Sequence, residues 1–182
     1  VVEADQVRVT EIESGAPVEV KARQITWSPA MAEKGGYKHF MLKEIHEQPD
    51  AVANTLRGRI SQERLAVDLP ELGLTADFLE SLQHFYIVAC GTSWHAGLVG
   101  RYLLEDLAQL APHVELASEL RYRNAPMNDR TLVLAISQSG ETADTLAALK
   151  DAKSHGARIL SVCNVIEASI PRLCDGTLYT HA

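Results

Sequence analysis

Two short stretches of this chain crowd hydroxyl groups and a glycine together: Cys90-Gly91-Thr92-Ser93 and Ser137-Gln138-Ser139-Gly140-Glu141-Thr142. Each follows an apolar run, Phe85-Tyr86-Ile87-Val88-Ala89 before the first and Leu132-Val133-Leu134-Ala135-Ile136 before the second. Each also opens a stretch with helical spacing. Where a strand turns into a helix, the first helical N–H groups have no partner inside the helix and lie at the positive end of its dipole. Hydroxyls beside them, and a glycine that lets the backbone come close, make a cradle for a small anion. Ser and Thr are also ordinary helix caps, so one such turn would carry little weight. Two of them, after strands in matching places, point to a phosphate. Neither turn is the Gly-Lys-Ser/Thr loop of nucleoside triphosphate sites, and neither is the GxGxxG dinucleotide fingerprint. The ligand that fits is a phosphorylated metabolite held by neutral donors.

Other reactive residue types have plainer readings. Glu141 and Asp144 fall in a first helical turn, where acids suit the dipole whether or not they meet a ligand. Cys90 at the end of a strand is either a nucleophile or, more commonly, a small buried thiol. His95 lies beside the first turn, within reach of a substrate or simply solvated. Arg121 and Arg123 either meet acids of a second subunit or sit in a solvated loop. Cys90, Cys163 and Cys174 have no metal-ligand spacing and form no disulfide framework, so no metal and no cofactor are expected and the thiols read as reduced and cytoplasmic. The chain has 17 Lys+Arg against 24 Asp+Glu, a net charge of −7. That balance excludes a nucleic-acid backbone or an anionic membrane as the main partner. No run approaches about 18 apolar residues, and no signal-peptide layout is present. The chain opens at Val1, which reads as the start of an excised or processed segment.

The elements that must position these turns follow from periodicity. At 182 residues the chain predicts one domain and a remainder. Val7-Arg8-Val9-Thr10 and Val18-Glu19-Val20-Lys21 alternate around Gly15-Ala16-Pro17, a hairpin signal. Two strands alone are marginal in water, so residues 1–33 read as the tail of a β domain. Met41, Leu42 and Ile45 suggest a short helix stopped near Pro49. Val52, Leu56 and Ile60 mark a second helix capped by Asp50. Residues 61–75 read as a loop, and 34–75 as a whole as a linker. From residue 76 onward, a short helix leads into apolar strands alternating with helices. The first long helix, 93–111, carries Trp94, Leu98, Tyr102, Leu107 and Leu110 on one side. Further strands are expected at 114–117, 132–136, 158–162 and 177–180. The expected fold of 76–182 is therefore α/β, a three-layer αβα sandwich on a parallel five-stranded sheet of flavodoxin-like type. It is preceded by a short β segment and a helical linker.

The segments CGTSWHAG (90–97), ASELRYR (117–123) and ISQSGETADT (136–145), in that order and spacing, closely resemble the first sugar isomerase (SIS) half of one enzyme family. That family is the glutamine–fructose-6-phosphate aminotransferases (isomerizing), or glucosamine-6-phosphate synthases. KGGYKHFMLKEIHEQP (34–49) is similar to the junction between the glutaminase and isomerase parts of the same family. The resemblance covers nearly the whole chain, and residues 1–33 look like the end of the glutaminase domain.

The resemblance implies an enzyme that moves ammonia from glutamine onto fructose 6-phosphate, giving glucosamine 6-phosphate and glutamate, and that acts as a homodimer. By matching positions it implies that Ser137, Gln138, Ser139 and Thr142 hold the sugar phosphate with help from Ser93. Cys90, Gly91 and Thr92 would line the sugar end. The family's glutaminase nucleophile and the Glu, His and Lys of its second SIS half have no counterpart in this chain. The expected role is therefore substrate binding, with no catalytic residue and no activity in isolation. A SIS-domain ketose–amine deglycase, a stand-alone phosphosugar isomerase and a non-catalytic phosphosugar-sensing SIS module share the second turn. The isomerase would not account for residues 34–49, the sensing module would carry a DNA-binding helical domain where this chain has strands, and the deglycase is the nearest catalytic competitor.

Overall fold

A computed structural model describes residues 9–18, 34–61 and 63–181. The chain forms two compact units, 1–43 and 44–182. In the first, β1 (Val9–Thr10) pairs antiparallel with β2 (Pro17–Val18), Val9 facing Val18 and Thr10 facing Pro17. This is the hairpin that the alternation predicts. The outer residues of its two runs, Val7, Arg8 and Glu19 to Lys21, lie outside the described residues.

The next helix departs from expectation. One helix, α1 (Phe40–Leu56), runs through Pro49 where two were expected, and Asp50 lies inside it rather than at a cap. Proline removes one backbone donor and strains the preceding turn, but that need not stop a helix. No residue of α1 is buried, so water can serve the carbonyl that loses its donor. Ile60 is not helical either. The segment expected as a loop holds a small antiparallel pair, β3 (Ile60–Ser61) with β4 (Ala66–Val67), then a 3-10 turn at Pro70–Leu72. Helix α2 (Ala76–Ser81) begins with Thr75 accepting the Phe78 N–H on its side chain.

The sheet is the expected one. Strands β5 (His84–Ala89), β6 (His113–Leu116), β7 (Thr131–Ser137), β8 (Arg158–Cys163) and β9 (Gly176–Tyr179) lie in the order β6-β5-β7-β8-β9, all parallel. The chain builds outward from β5 on one side, then returns to β7 and builds outward on the other. Helices α3 (Gly91–Ala108), α4 (Ala117–Leu120), α5 (Ala143–Ser154) and α6 (Ser169–Leu173) make the crossovers.

The apolar runs become strands buried on both faces, as parallel strands between helices must be. Side chains alternate between the two faces. Tyr86, Val88, Val133, Ala135 and Ile159 pack with Ala117 and Leu120 of α4, Ala148, Leu149 and Ala152 of α5, and Ile170 of α6. The opposite face receives α3. There a Cβ on Gly97 would sit 3.0 Å from Ile87 and 3.2 Å from Val114, so this glycine is what lets the helix lie close on the sheet. Buried hydroxyls find partners: Ser161 Oγ and Thr177 Oγ1 are 2.7 Å apart, and Asn128 N donates to Thr131 Oγ1 at 2.9 Å.

The side of α3 that the spacing suggested faces inward only at its start. Trp94, Gly97, Leu98, Arg101 and Leu104 face inward, whereas Tyr102 and Leu107 are 64% and 79% exposed. Stepping by four drifts about 40° per step at 3.6 residues per turn, so Tyr102 lies about 80° round from Trp94, and Leu107, five residues further on, lies farther round still. Together with Val99 and Leu103 they leave an apolar stripe exposed.

Leu149 is fully buried at the centre of the larger core. Leu149→Ala is expected to lower unfolding stability by about 2–5 kcal/mol in urea denaturation with an unchanged m-value. Leu107→Ala, on the exposed stripe, should stay within about 0.5 kcal/mol of the parent.

Candidate functional site

The register between β5 and β7 brings the two hydroxyl-rich turns together. Ala89 is opposite Ile136, so Cys90 leaves the sheet beside Ser137. This is the point where the strand order reverses, and in open α/β sheets ligands bind outside the carboxyl ends of the strands there. Both turns lead straight into long helices. Cys90 is the N-cap of α3 and Thr142 the N-cap of α5, and neither side chain accepts a hydrogen bond from its helix. The first N–H groups of both helices are thus left without a side-chain cap at the same edge of the sheet. Gln138, Ser139, Gly91 and Thr92 are exposed there, Ser93 and Thr142 half-buried.

The second turn is shaped from within and from behind. Ser137, itself buried, accepts the Gly140 N–H on Oγ at 3.0 Å, and Ser139 Oγ accepts the Glu141 N–H at 3.3 Å. Gly140 has φ +66°, a left-handed conformation. A Cβ at this position would also lie 2.5 Å from Ala168 Cβ and 2.9 Å from Cys163 Sγ. The turn rests on the connection from β8 to α6: Val165 N donates to the Gln138 carbonyl at 3.3 Å, and Ile170 N to the Gly140 carbonyl at 2.9 Å. Motif and spacing assign no site role to Cys163, Val165, Ala168, Ser169 or Ile170. The one signal pointing to them was the pair of small residues, Ala168-Ser169, just before a helix.

The reactive residue types sort themselves by partner. Cys90 packs against the core with its Sγ 3.9 Å from the buried Thr145 hydroxyl, so it is the inward thiol and not a presented nucleophile. Burial pushes the Cys163 and Cys174 thiols up, which keeps them protonated. All three cysteines are free. His95 is exposed, and its Nδ1 lies 3.1 Å from the Gly91 carbonyl one turn back.

Arg121 and Arg123 each find an acid within the chain. Arg121 Nη1 reaches Asp144 Oδ1 at 2.5 Å, and Arg123 Nη2 reaches Glu115 Oε1 at 2.8 Å. Asp144 in the first turn of α5 is therefore partly neutralised. Glu141 is not in that helix at all, since α5 starts at Ala143. Its carboxylate turns away and accepts the Ser169 N–H at 2.7 Å. No cluster of His, Cys, Asp or Glu able to hold a metal exists among the described residues, and no helix among them is long and apolar enough to cross a membrane.

Gly140→Ala combines a left-handed Cβ with a steric clash against Ala168, and is expected to cost about 2 kcal/mol or more of unfolding stability. Gly91→Ala has a similar positive φ of +58° but nothing within 4 Å. It should cost only about 1 kcal/mol, the conformational part alone, and urea denaturation of the two variants side by side measures the difference.

Sequence and structure comparisons converge on one family. Glutamine–fructose-6-phosphate aminotransferase (isomerizing) of Symbiobacterium thermophilum is 52% identical over 169 residues, 93% of this chain and 28% of the relative. The enzyme of the same name from Leifsonia xyli subsp. xyli is 51% identical over 179 residues, 98% of this chain and 29% of the relative. The chain thus spans under a third of the length of the curated relatives it matches. Among solved structures, the C-terminal domain of glucosamine-fructose-6-phosphate aminotransferase from Francisella tularensis superposes with a TM-score of 0.71 at 42% identity. That match covers 81% of this chain and 41% of that one. The SIS domain model matches residues 78–182, the whole of the parallel sheet with its two turns, and the chain belongs to the SIS domain family.

Proposed function

We propose that this chain is the phosphosugar-binding part of a glutamine–fructose-6-phosphate aminotransferase, and that it holds fructose 6-phosphate or glucosamine 6-phosphate by its phosphate. The observation that carries the reading is the pair of uncapped helix starts, α3 and α5, at the strand-order reversal between β5 and β7. A relative named for this activity matches 98% of the chain, which supports reading 1–33 as the end of a glutaminase domain and 34–75 as the linker. In this reading Ser137, Gln138, Ser139 and Thr142 bind the phosphate with Ser93. Cys90, Gly91 and Thr92 line the sugar end, Cys90 through its backbone because its thiol points inward.

The site binds and orients; it moves no proton. Imine formation and ketose–aldose isomerisation need an amine and a free base. The two turns carry no lysine, and their one carboxylate, Glu141, is engaged by Ser169. The chemistry therefore belongs to residues outside these turns, and the chain by itself should bind without turnover. The exposed stripe of Val99, Tyr102, Leu103 and Leu107 supports packing against further protein, as in the homodimer expected for the family. A cytoplasmic place for the enzyme suits the three free cysteines.

Calorimetric titration with fructose 6-phosphate is expected to give binding, and fructose none. Ser139→Ala and Thr142→Val should each weaken the phosphosugar about tenfold, the effect of losing one hydrogen bond to a charged group. Equal affinity for fructose and fructose 6-phosphate would refute the phosphate site. Formation of glucosamine 6-phosphate by the chain alone would refute its restriction to binding.

A further inference from the structure

The phosphate turn carries an acid. Glu141 sits between Gly140 and Thr142, in a segment that, on the reading above, receives a dianion. A carboxylate left facing that ligand would repel it at short range, where charges interact most strongly. The structure shows where the carboxylate goes. Oε1 accepts the Ser169 N–H at 2.7 Å, and Arg172 closes the arrangement, its Nη2 donating to Ser169 Oγ at 3.1 Å and its Nη1 to the Glu167 carbonyl. Beside this bond run the two backbone bonds from Val165 to Gln138 and from Ile170 to Gly140. Hydrogen bonds from Ser169, with the Arg172 charge adding, hold the Glu141 carboxyl below its usual range, so it is ionised as it accepts them. Three contacts thus bind one side of the turn to one connection, and only one of them comes from a side chain.

We propose that Glu141 is a positioning residue: by taking the Ser169 N–H it fixes the turn in its anion-binding shape and turns its own charge away from the bound phosphate. It touches no substrate and acts through Gly140 and Thr142, its neighbours in the turn. The proposal rests on the phosphosugar reading for the ligand but not for the tether, so the two can fail separately.

The test uses the full chain as wild type, E141Q, E141A, S169P and E141A/S169P. Gln keeps an acceptor and loses the charge. Pro at residue 169 deletes the donor at the first position of α6, where proline is tolerated, and Ala168 already has the extended backbone (ψ 168°) that a following proline requires. Without ligand, amide hydrogen exchange at Ser169 and Ile170 should be at least about tenfold faster in E141A, the Ile170 amide should be similarly faster in S169P, and E141Q should stay close to wild type.

With fructose 6-phosphate, E141A and S169P should each bind at least about fivefold more weakly. The double variant should be no weaker than either single one, as partners in one bond require, and E141Q should be restored to within about twofold. Unchanged exchange in E141A overturns the proposal. So does tighter binding by both E141A and E141Q, which would show an acid that merely repels the ligand, and so does additivity in the double variant. Absence of phosphosugar binding by wild type refutes the phosphosugar reading, and the exchange measurements then decide the tether by themselves.

Discussion

Parallel pairing of β5 with β7, without a strand between them, is the constraint on which the site depends. The two strands are far apart in the chain, and everything from α3 to the loop before Thr131 lies between them. Because their hydrogen-bonded register sets Ala89 opposite Ile136, the residues that follow emerge side by side. Parallel strands must also both end at the same edge, so both following helices point their positive ends at one place. A slip of one residue would turn alternate side chains to the wrong face. The buried alternation of Tyr86 and Val88 against Val133 and Ala135 prevents that slip. The core thereby fixes the position of two turns that contribute almost nothing to it.

A chain with net charge −7 can present an anion site only by local arrangement. Neither turn contains a lysine or arginine. On the proposed reading, attraction would come from backbone N–H groups, hydroxyls and the Gln138 amide, and the acids nearby are each given a counterpart. Asp144 has Arg121, itself stacked over the Tyr122 ring at 4.7 Å, while Glu141 has Ser169.

The sequence was informative where period and turn chemistry agree. The continuous apolar runs at 85–89 and 132–136 admit only buried strands once helices alternate with them, and the hydroxyl-glycine turns follow at once. It was less informative where several outcomes differ by little free energy. Pro49 could end a helix or be carried inside one, and in the solvent-exposed α1 the helix runs on through it. The apolar residues of α3 cover more than one face, so spacing alone could not tell the packed side from the exposed one. Residues 163–170 could not be placed because their role arises from contact across the fold, with main-chain atoms and small side chains doing what a motif would not display.

Ala168 occupies the volume that a side chain on residue 140 would need, its Cβ only 2.5 Å from where one would begin. The two positions therefore share one space, although one belongs to a recognisable motif and the other to none. While the turn keeps its present path, the Ala168 methyl and any side chain on residue 140 cannot both be accommodated. A residue with no chemistry of its own thus keeps glycine at the centre of the turn.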